Sequence, residues 1–196
     1  LGHFLKKLGH TVTVISPTNW AGWVNWMPGT KQVIDFEQHK QIAQEKIAGA
    51  DWLFCLDFNI FHRTKNLAEH LANASCTKIL VDHHQQPDTP SFHYGISDTS
   101  KSSTCEMIYD FIMESGNEAC INQSVADCLY AGVMTDTGSF RFPSTTAVTH
   151  RVIASLIEHG AKNAEIQLPN RIVRYNQRRE YSLPLCFSNS QMKFPA

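Results

Sequence analysis

The chain has 196 residues, of which 42% are hydrophobic and 18% are charged. At about 150 residues per domain, this length suits one full domain and a short remainder, and the composition excludes a disordered, collagenous or highly charged polypeptide. Seventeen Lys and Arg against 18 Asp and Glu give a net charge of −1, so no basic field points to a nucleic-acid partner and any anionic substrate must be held locally.

The cysteine spacing and the lengths of the apolar runs indicate in which cellular compartment the protein is expected. No Cys-x-x-Cys pair or other zinc-ribbon spacing occurs, which favours reduced, mostly buried thiols at Cys55, Cys76, Cys105, Cys120, Cys128 and Cys186. Neither an apolar run of membrane-spanning length nor a signal peptide is visible, so we expect a cytoplasmic protein with no membrane partner. An amphipathic pattern already begins at Leu1 without a preceding methionine, and we expect a fragment whose true beginning is missing.

The first half of the chain alternates helices and strands. A helix over 1–8 ends at Gly9, and a β-branched run predicts a strand over 11–16. The next stretch, 18–29, is a long loop with three tryptophans that we expect to be buried within the domain: Trp20, Trp23 and Trp26. A homodimer interface is the alternative role for these side chains. The next predicted elements are a helix over 37–48, a strand over 51–57, a helix over 64–74 and a strand over 77–82. This order predicts an α/β domain with a parallel sheet flanked by helices, in which a strand before Leu1 is lost.

Helices dominate the second half. Ser103-Thr104-Cys105-Glu106 predicts a capping box for a helix to about Ser115. Further helices are predicted over 123–134 and over 145–159. Because the periodicity dissolves from Lys162 onward, we predict one domain over 1–160, with 161–196 a linker or the beginning of another domain.

Acidic residues follow two of the predicted strands. Asp57 ends one strand, and Asp82-His83-His84 ends the next. Ligands of parallel sheets collect beyond the carboxyl ends of the strands, so these side chains are expected to meet. A third acid, Asp136, precedes a tight turn at Gly138 and fits the same site. Carboxylate and imidazole together suit divalent metals such as Mn²⁺, Fe²⁺ or Zn²⁺.

Each of these residues also has a purely structural interpretation. Asp57 suits a helix N-cap, His83 and His84 suit satisfied polar groups at a strand end, and Asp136 suits a turn cap. Taken singly, these interpretations are as good as the functional one. The combination at these positions favours a metal site.

The same residues resemble the DHH phosphoesterases, a family named for its Asp-His-His triplet. Here the triplet follows Val81, Leu56-Asp57 lies upstream, and the run Thr135–Arg141 lies downstream. Further stretches are similar to the family branch of oligoribonucleases and 3′-phosphoadenosine 5′-phosphate phosphatases: Phe4–His10, Ser102–Thr104 and Ile157–Ala161. The resemblance covers about residues 1–160.

The resemblance implies a hydrolase that uses two metal ions, usually manganese, to activate water against short oligonucleotides or nucleoside 3′,5′-bisphosphates. By position, Asp57 would bridge both metals, and His83 and Asp136 would ligate one of them. His84 would face the phosphoryl group, and Asp82 would orient the histidines. Arg141 and Ser139, in the turn after Asp136, would contact substrate. A solvated surface role suits Arg141 equally well.

The family's first motif, a His followed by an Asp-x-Asp pair, would lie before Leu1, and a second domain would follow Ala196. The resemblance therefore implies a chain truncated at both ends and poorly active by itself. Within the superfamily, inorganic pyrophosphatases, exopolyphosphatases and cyclic-dinucleotide phosphodiesterases are rival interpretations. A rival of a different class is a non-catalytic remnant that binds metal or nucleotide.

Overall fold

The computed structural model describes residues 1–20 and 22–167, apart from the side chain at position 23, and the backbone of residues 185–190. Its elements in chain order are α1 (Gly2–Lys7), β1 (Thr11–Ser16), β2 (Ile34–Asp35), α2 (Lys40–Ala48), β3 (Trp52–Leu56), α3 (Ala68–Asn73), β4 (Thr77–Asp82), β5 (Tyr94–Ser97), α4 (Thr104–Glu114), α5 (Gln123–Asp136), α6 (Ala147–Glu158), α7 (Asn163–Ile166) and β6 (Leu185–Ser190).

The strands form one sheet of six in the order β2-β1-β6-β3-β4-β5. β1 pairs with β2 in parallel, and β3, β4 and β5 form a second parallel group. The predicted α/β architecture with parallel strands flanked by helices is thereby confirmed. β6 differs, because it runs antiparallel to both of its neighbours, β1 and β3. It was not predicted, and it comes from the region that the sequence assigns to a linker or a further domain.

Helices cover both faces of the sheet. Phe54 and Leu56 of β3 face a core shared with α1 and α4–α7, whereas Leu53 and Cys55 face a core shared with α2 and α3. A strand buried on both faces has a continuous apolar run, which is why β3 is visible in the sequence. The predicted helix over 64–74 begins instead as a 3-10 turn, Phe61–Leu67, kinked at Lys65 where φ is 55°.

The predicted capping box at the start of α4 is only half formed. The Ser103 hydroxyl accepts a hydrogen bond from the Glu106 backbone amide, as predicted. The Glu106 side chain does not return to the Ser103 amide, because Ser102 and Thr149 occupy its carboxylate. A complete capping box joins Thr146 and Thr149 at the start of α6.

The remaining composition-based expectations concern thiols and membranes. Among the cysteines whose side chains are described, none forms a disulfide; Cys55 and Cys76 are buried, and the other three are partly buried. The side chain of Cys186 lies outside the described residues. Trp26 packs against the larger hydrophobic core, so at least this tryptophan of the loop has a structural role. Among the described residues, no helix combines the length and the apolarity needed to cross a membrane.

Candidate metal centre

The centre begins where β3 and β4 end side by side. The two strands pair in register up to Leu56 and Val81. Asp57 follows at once, and its backbone amide donates to the Val81 carbonyl at 3.1 Å. Asp57 has a φ of 65°, a left-handed conformation that costs most side chains about 1–2 kcal/mol and that aspartate tolerates better than most. Asp82 ends β4, so His83 and His84 emerge beside Asp57.

Three of these side chains form a compact set of potential metal ligands. Asp57, His83 and His84 each offer an atom, and these atoms lie within 4.8 Å of one another. His83 Nε2 lies 3.4 Å from Asp57 Oδ1. Asp136 reaches the same ring from the end of α5, with its Oδ2 3.8 Å from His83 Nε2, although it is not part of the compact set of three.

Separate groups orient the two histidines. The fully buried Asp82 accepts hydrogen bonds from His84 Nδ1 at 2.7 Å and from the His84 backbone amide at 2.9 Å. With Nδ1 protonated, His84 keeps Nε2 free to face the centre. His83 Nδ1 instead lies 3.3 Å from the Lys101 carbonyl. The hydrogen bonds of Asp82 thus reach His84, whereas His83 faces a backbone carbonyl; that Asp82 orients the histidines stays a prediction.

Thr104 is a further residue at the site, one to which the sequence patterns assign no role beyond opening a helix. As the first residue of α4, it donates from its hydroxyl to Asp57 Oδ1 at 3.0 Å. The Ser-Ser-Thr run that opens α4 was the available signal, since it places hydroxyl groups on a chain returning toward the strand ends.

The carboxylates and imidazoles compete for protons. Burial and the nearby charge of Asp57 raise the pKa of Asp136 to about 8. Burial disfavours protonation of His83, but the hydrogen bond with Asp57 and the charge of Asp136 outweigh it and raise the pKa of His83 to about 9. At Asp82, burial is outweighed by the hydrogen bonds from His84, so its pKa is lowered. The centre therefore retains protons at neutral pH that a bound cation would displace.

The chain matches a known family over most of its length. Residues 1–133 match the sequence model of the DHH family, N-terminal domain. The chain belongs to the DHH family.

Several relatives of this DHH chain carry names or have known structures. It is 37% identical over 87 residues to the bifunctional oligoribonuclease and PAP phosphatase NrnA of Bacillus subtilis, and 39% identical over 89 residues to that of Thermus thermophilus. These matches cover 44% and 45% of the chain but only 28% and 26% of the relatives. The crystal structure of an exopolyphosphatase-related protein from Bacteroides fragilis superposes with a TM-score of 0.83 at 30% identity, covering 92% of this chain and 51% of the other.

After Asp136, the DHH chain makes an unusually tight turn. Gly138, Ser139 and Phe140 have successive φ angles of 56°, 60° and 65°. The Thr137 hydroxyl fixes this turn, because it donates to the Val133 carbonyl at 2.7 Å and accepts from the Phe140 amide at 3.1 Å. A rigid turn at this point holds the end of α5, and with it Asp136, against the centre.

The two residues predicted to contact substrate lie on this turn. Ser139 is partly buried, whereas Arg141 is exposed. Arg141 Nε donates to the Gly138 carbonyl at 2.7 Å, and this hydrogen bond holds the Nε end of the guanidinium group close to the turn. Their roles toward substrate, like the metal roles of Asp57, His83 and Asp136, stay predictions.

Proposed function

We propose that this chain is the metal-binding domain of a phosphoesterase that hydrolyses short oligonucleotides or nucleoside 3′,5′-bisphosphates with two divalent cations. The observation that carries the proposal is the convergence of Asp57, His83, His84 and Asp136 at the carboxyl ends of β3 and β4. The substrate class is supported by the NrnA relatives, whose names describe an oligoribonuclease and PAP phosphatase.

The side chains at this edge of the sheet fit a divalent cation. A carboxylate oxygen and imidazole nitrogens within 4.8 Å of one another form a donor set that Mn²⁺, Fe²⁺ and Zn²⁺ accept. Asp57, His83 and Asp136 would hold the ion, and manganese is the ion we propose. When bound, a pair of such cations lowers the pKa of a bound water and neutralises charge on the phosphoryl oxygens.

The residues of this chain would position the substrate and manage protons. The Lys101 carbonyl would accept a hydrogen bond from the protonated Nδ1 of His83, so that Nε2 faces the centre. Asp82 holds His84 in the same way, so Nε2 of His84 also faces the centre, where it would meet a phosphoryl oxygen. Arg141 would pair with a further phosphate, with Ser139 nearby as a hydroxyl donor.

Hydrolysis in the presence of Mn²⁺ tests the proposal. Because the chain by itself is expected to be poorly active, a protein in which the family's His and Asp-x-Asp motif precedes it is offered a ribodinucleotide, 3′-phosphoadenosine 5′-phosphate and pyrophosphate, with and without Mn²⁺. We expect chelator-sensitive turnover of the first two, which His83→Ala abolishes and which a control variant of an exposed histidine, His62→Ala, leaves unchanged. Turnover that is insensitive to both chelation and His83→Ala would contradict the proposal.

A second candidate substrate class is polyphosphate. The structural likeness to the exopolyphosphatase-related protein covers 92% of the chain, which favours polyphosphate over pyrophosphate and cyclic dinucleotides. Inorganic tripolyphosphate added to the same assay separates polyphosphate from the proposed substrates. A preference for it over the dinucleotide would replace our proposed substrate class while keeping the metal centre.

A further inference from the structure

A buried acidic side chain lies behind the metal centre. Glu106, in the first turn of α4, has 2% of its surface exposed. Its Oε2 accepts hydrogen bonds from the Ser102 hydroxyl, before the helix, and from the Thr149 hydroxyl of α6 at 3.0 Å. Glu106 therefore ties the segment that leads into α4 to a second helix.

That segment, Lys101–Thr104, touches two of the predicted metal ligands. The carbonyl of Lys101 lies 3.3 Å from His83 Nδ1. The hydroxyl of Thr104 donates to Asp57 Oδ1 at 3.0 Å. The same few residues thus set the ring of His83 and the carboxylate of Asp57, which come from different strands.

Helix capping alone does not explain Glu106. A capping glutamate would turn its side chain back to the backbone amide of Ser103, whereas Glu106 reaches across to α6. A buried carboxylate is unfavourable unless hydrogen bonds compensate it, and an apolar side chain would pack α4 against α6 without that cost. What the carboxylate adds is direction, since two hydroxyl donors converge on its Oε2, the Lys101 ammonium lies 3.9 Å from its Oε1, and together they fix the Lys101–Thr104 segment relative to α6.

We propose that Glu106 and Thr104 are positioning residues of the metal centre. Glu106 holds the Lys101–Thr104 segment, and through the Lys101 carbonyl and the Thr104 hydroxyl this segment orients His83 and Asp57. The effect on metal affinity rests on the proposed function, whereas the orientation of the His83 ring is a property of the metal-free chain. The two parts can therefore be tested separately.

The test uses variants of the 196-residue chain and two measurements. Nuclear magnetic resonance of the metal-free chain at constant pH follows the imidazole nitrogens of His83, and electron paramagnetic resonance gives the affinity for Mn²⁺. We expect Glu106→Gln and Thr104→Val to shift the His83 resonances and to weaken Mn²⁺ binding about 10–100-fold, the usual effect of losing a group that orients a metal ligand. Thr104→Ser restores the hydroxyl and should restore both measurements. Glu114→Gln, an exposed glutamate at the far end of α4, is the control for loss of charge.

The outcomes are distinguishable. His83 resonances and Mn²⁺ affinity that stay unchanged in folded Glu106→Gln and Thr104→Val overturn the inference. If the wild-type chain binds no Mn²⁺ but the resonances shift as expected, the positioning role stands and the proposed function fails. If Glu106→Gln does not fold, the Thr104 variants decide alone: an effect of valine that serine reverses supports the inference, and equal behaviour of both variants overturns it.

Discussion

His83 Nε2 lies 3.4 Å from Asp57 Oδ1, although the two residues leave the ends of different strands. In-register parallel pairing of β3 with β4 accounts for this proximity, because it brings the two strand ends to one level of the sheet. The centre is therefore built on paired backbone rather than on a long loop. Side chains carried by paired strands are positioned more accurately than side chains on loops, and metal ligation requires accurately positioned ligands.

A first prediction separates the roles of Asp136 and His84. Because Asp136 is predicted to ligate a metal, Asp136→Asn should weaken Mn²⁺ binding by more than the roughly 10–100-fold expected for a residue outside the ligand set. His84→Ala should leave Mn²⁺ affinity within a few-fold while abolishing turnover, because His84 is predicted to face the phosphoryl group. Mn²⁺ titration and turnover of both variants provide the measurement. The reverse pattern would assign the ion to the compact set Asp57, His83 and His84.

A second prediction concerns pH. The metal-free centre binds protons up to a pKa of about 9 at His83 and about 8 at Asp136, and a cation needs His83 neutral and Asp136 ionised. Mn²⁺ affinity should therefore rise with pH from 6 to about 9 and then level off, with about one to two protons released per ion. Isothermal titration calorimetry in buffers of different ionisation enthalpy counts these protons.

The matched variant for this measurement is Asp136→Asn. It removes one titrating group and also the charge that raises the pKa of His83, so the pH dependence should become shallower and end at lower pH. An affinity that is independent of pH between 6 and 9 in the wild-type chain would contradict the proton displacement.

The sequence predicts those parts of the fold that bury side chains in a regular pattern. β3 and β4 are visible as apolar runs that end in acids. β5 is not, because all four of its residues are exposed at the sheet edge, and β2 has only two residues. β6 is placed in the sheet by pairing with β3, more than 100 residues earlier in the chain. No local sequence pattern encodes a pairing between residues so far apart.

Some residues of the candidate site are likewise predictable from the sequence, and others are not. Asp57, Asp82, His83 and His84 are predictable because they follow apolar strands directly. The contact of Lys101 with His83 is not predictable, since it uses a backbone carbonyl and depends on where a long connection returns. Glu106 is identified in the sequence as a capping residue, but its hydrogen bond to α6 requires the tertiary packing of two helices.

A third prediction concerns Asp82. Both of its carboxylate oxygens accept hydrogen bonds from His84, and an asparagine can accept at only one of these positions. Asp82→Asn should lower turnover about 10–100-fold through misorientation of His84. It should also reduce the free energy of unfolding at pH 7 by about 1–3 kcal/mol, because a buried donor or acceptor is left unsatisfied.

The pH dependence of stability checks the assignment to Asp82. Since its pKa is lowered on folding, its contribution is present above the unfolded value of 3.8 and is lost as pH falls through the folded value. Urea unfolding should therefore show a difference between wild type and Asp82→Asn at pH 7 that shrinks below pH 4. A difference that persists unchanged in acid would assign the effect to packing alone.

The last prediction concerns the packing that places Asp136. Gly132 of α5 lies against Cys105 of α4, and a Cβ at position 132 would meet the Cys105 Sγ at 2.1 Å. Gly132→Ala should destabilise the chain by about 1–2 kcal/mol, since overpacking outweighs the better helix propensity of alanine. Because Asp136 follows one helical turn later on α5, the displaced helix should also weaken Mn²⁺ binding.

Two further variants test this explanation. Cys105→Ala combined with Gly132→Ala removes the nearer of the clashing atoms and leaves the Cys105 Cβ at 2.9 Å, so it should recover part of both losses. Gly49→Ala is the control, because its nearest neighbour, the Glu45 carbonyl, lies at an ordinary contact distance of 3.5 Å. Thermal unfolding and Mn²⁺ titration of the four proteins give the comparison. If Gly132→Ala matched the wild type in both, close packing of α4 on α5 would not be what sets the position of Asp136.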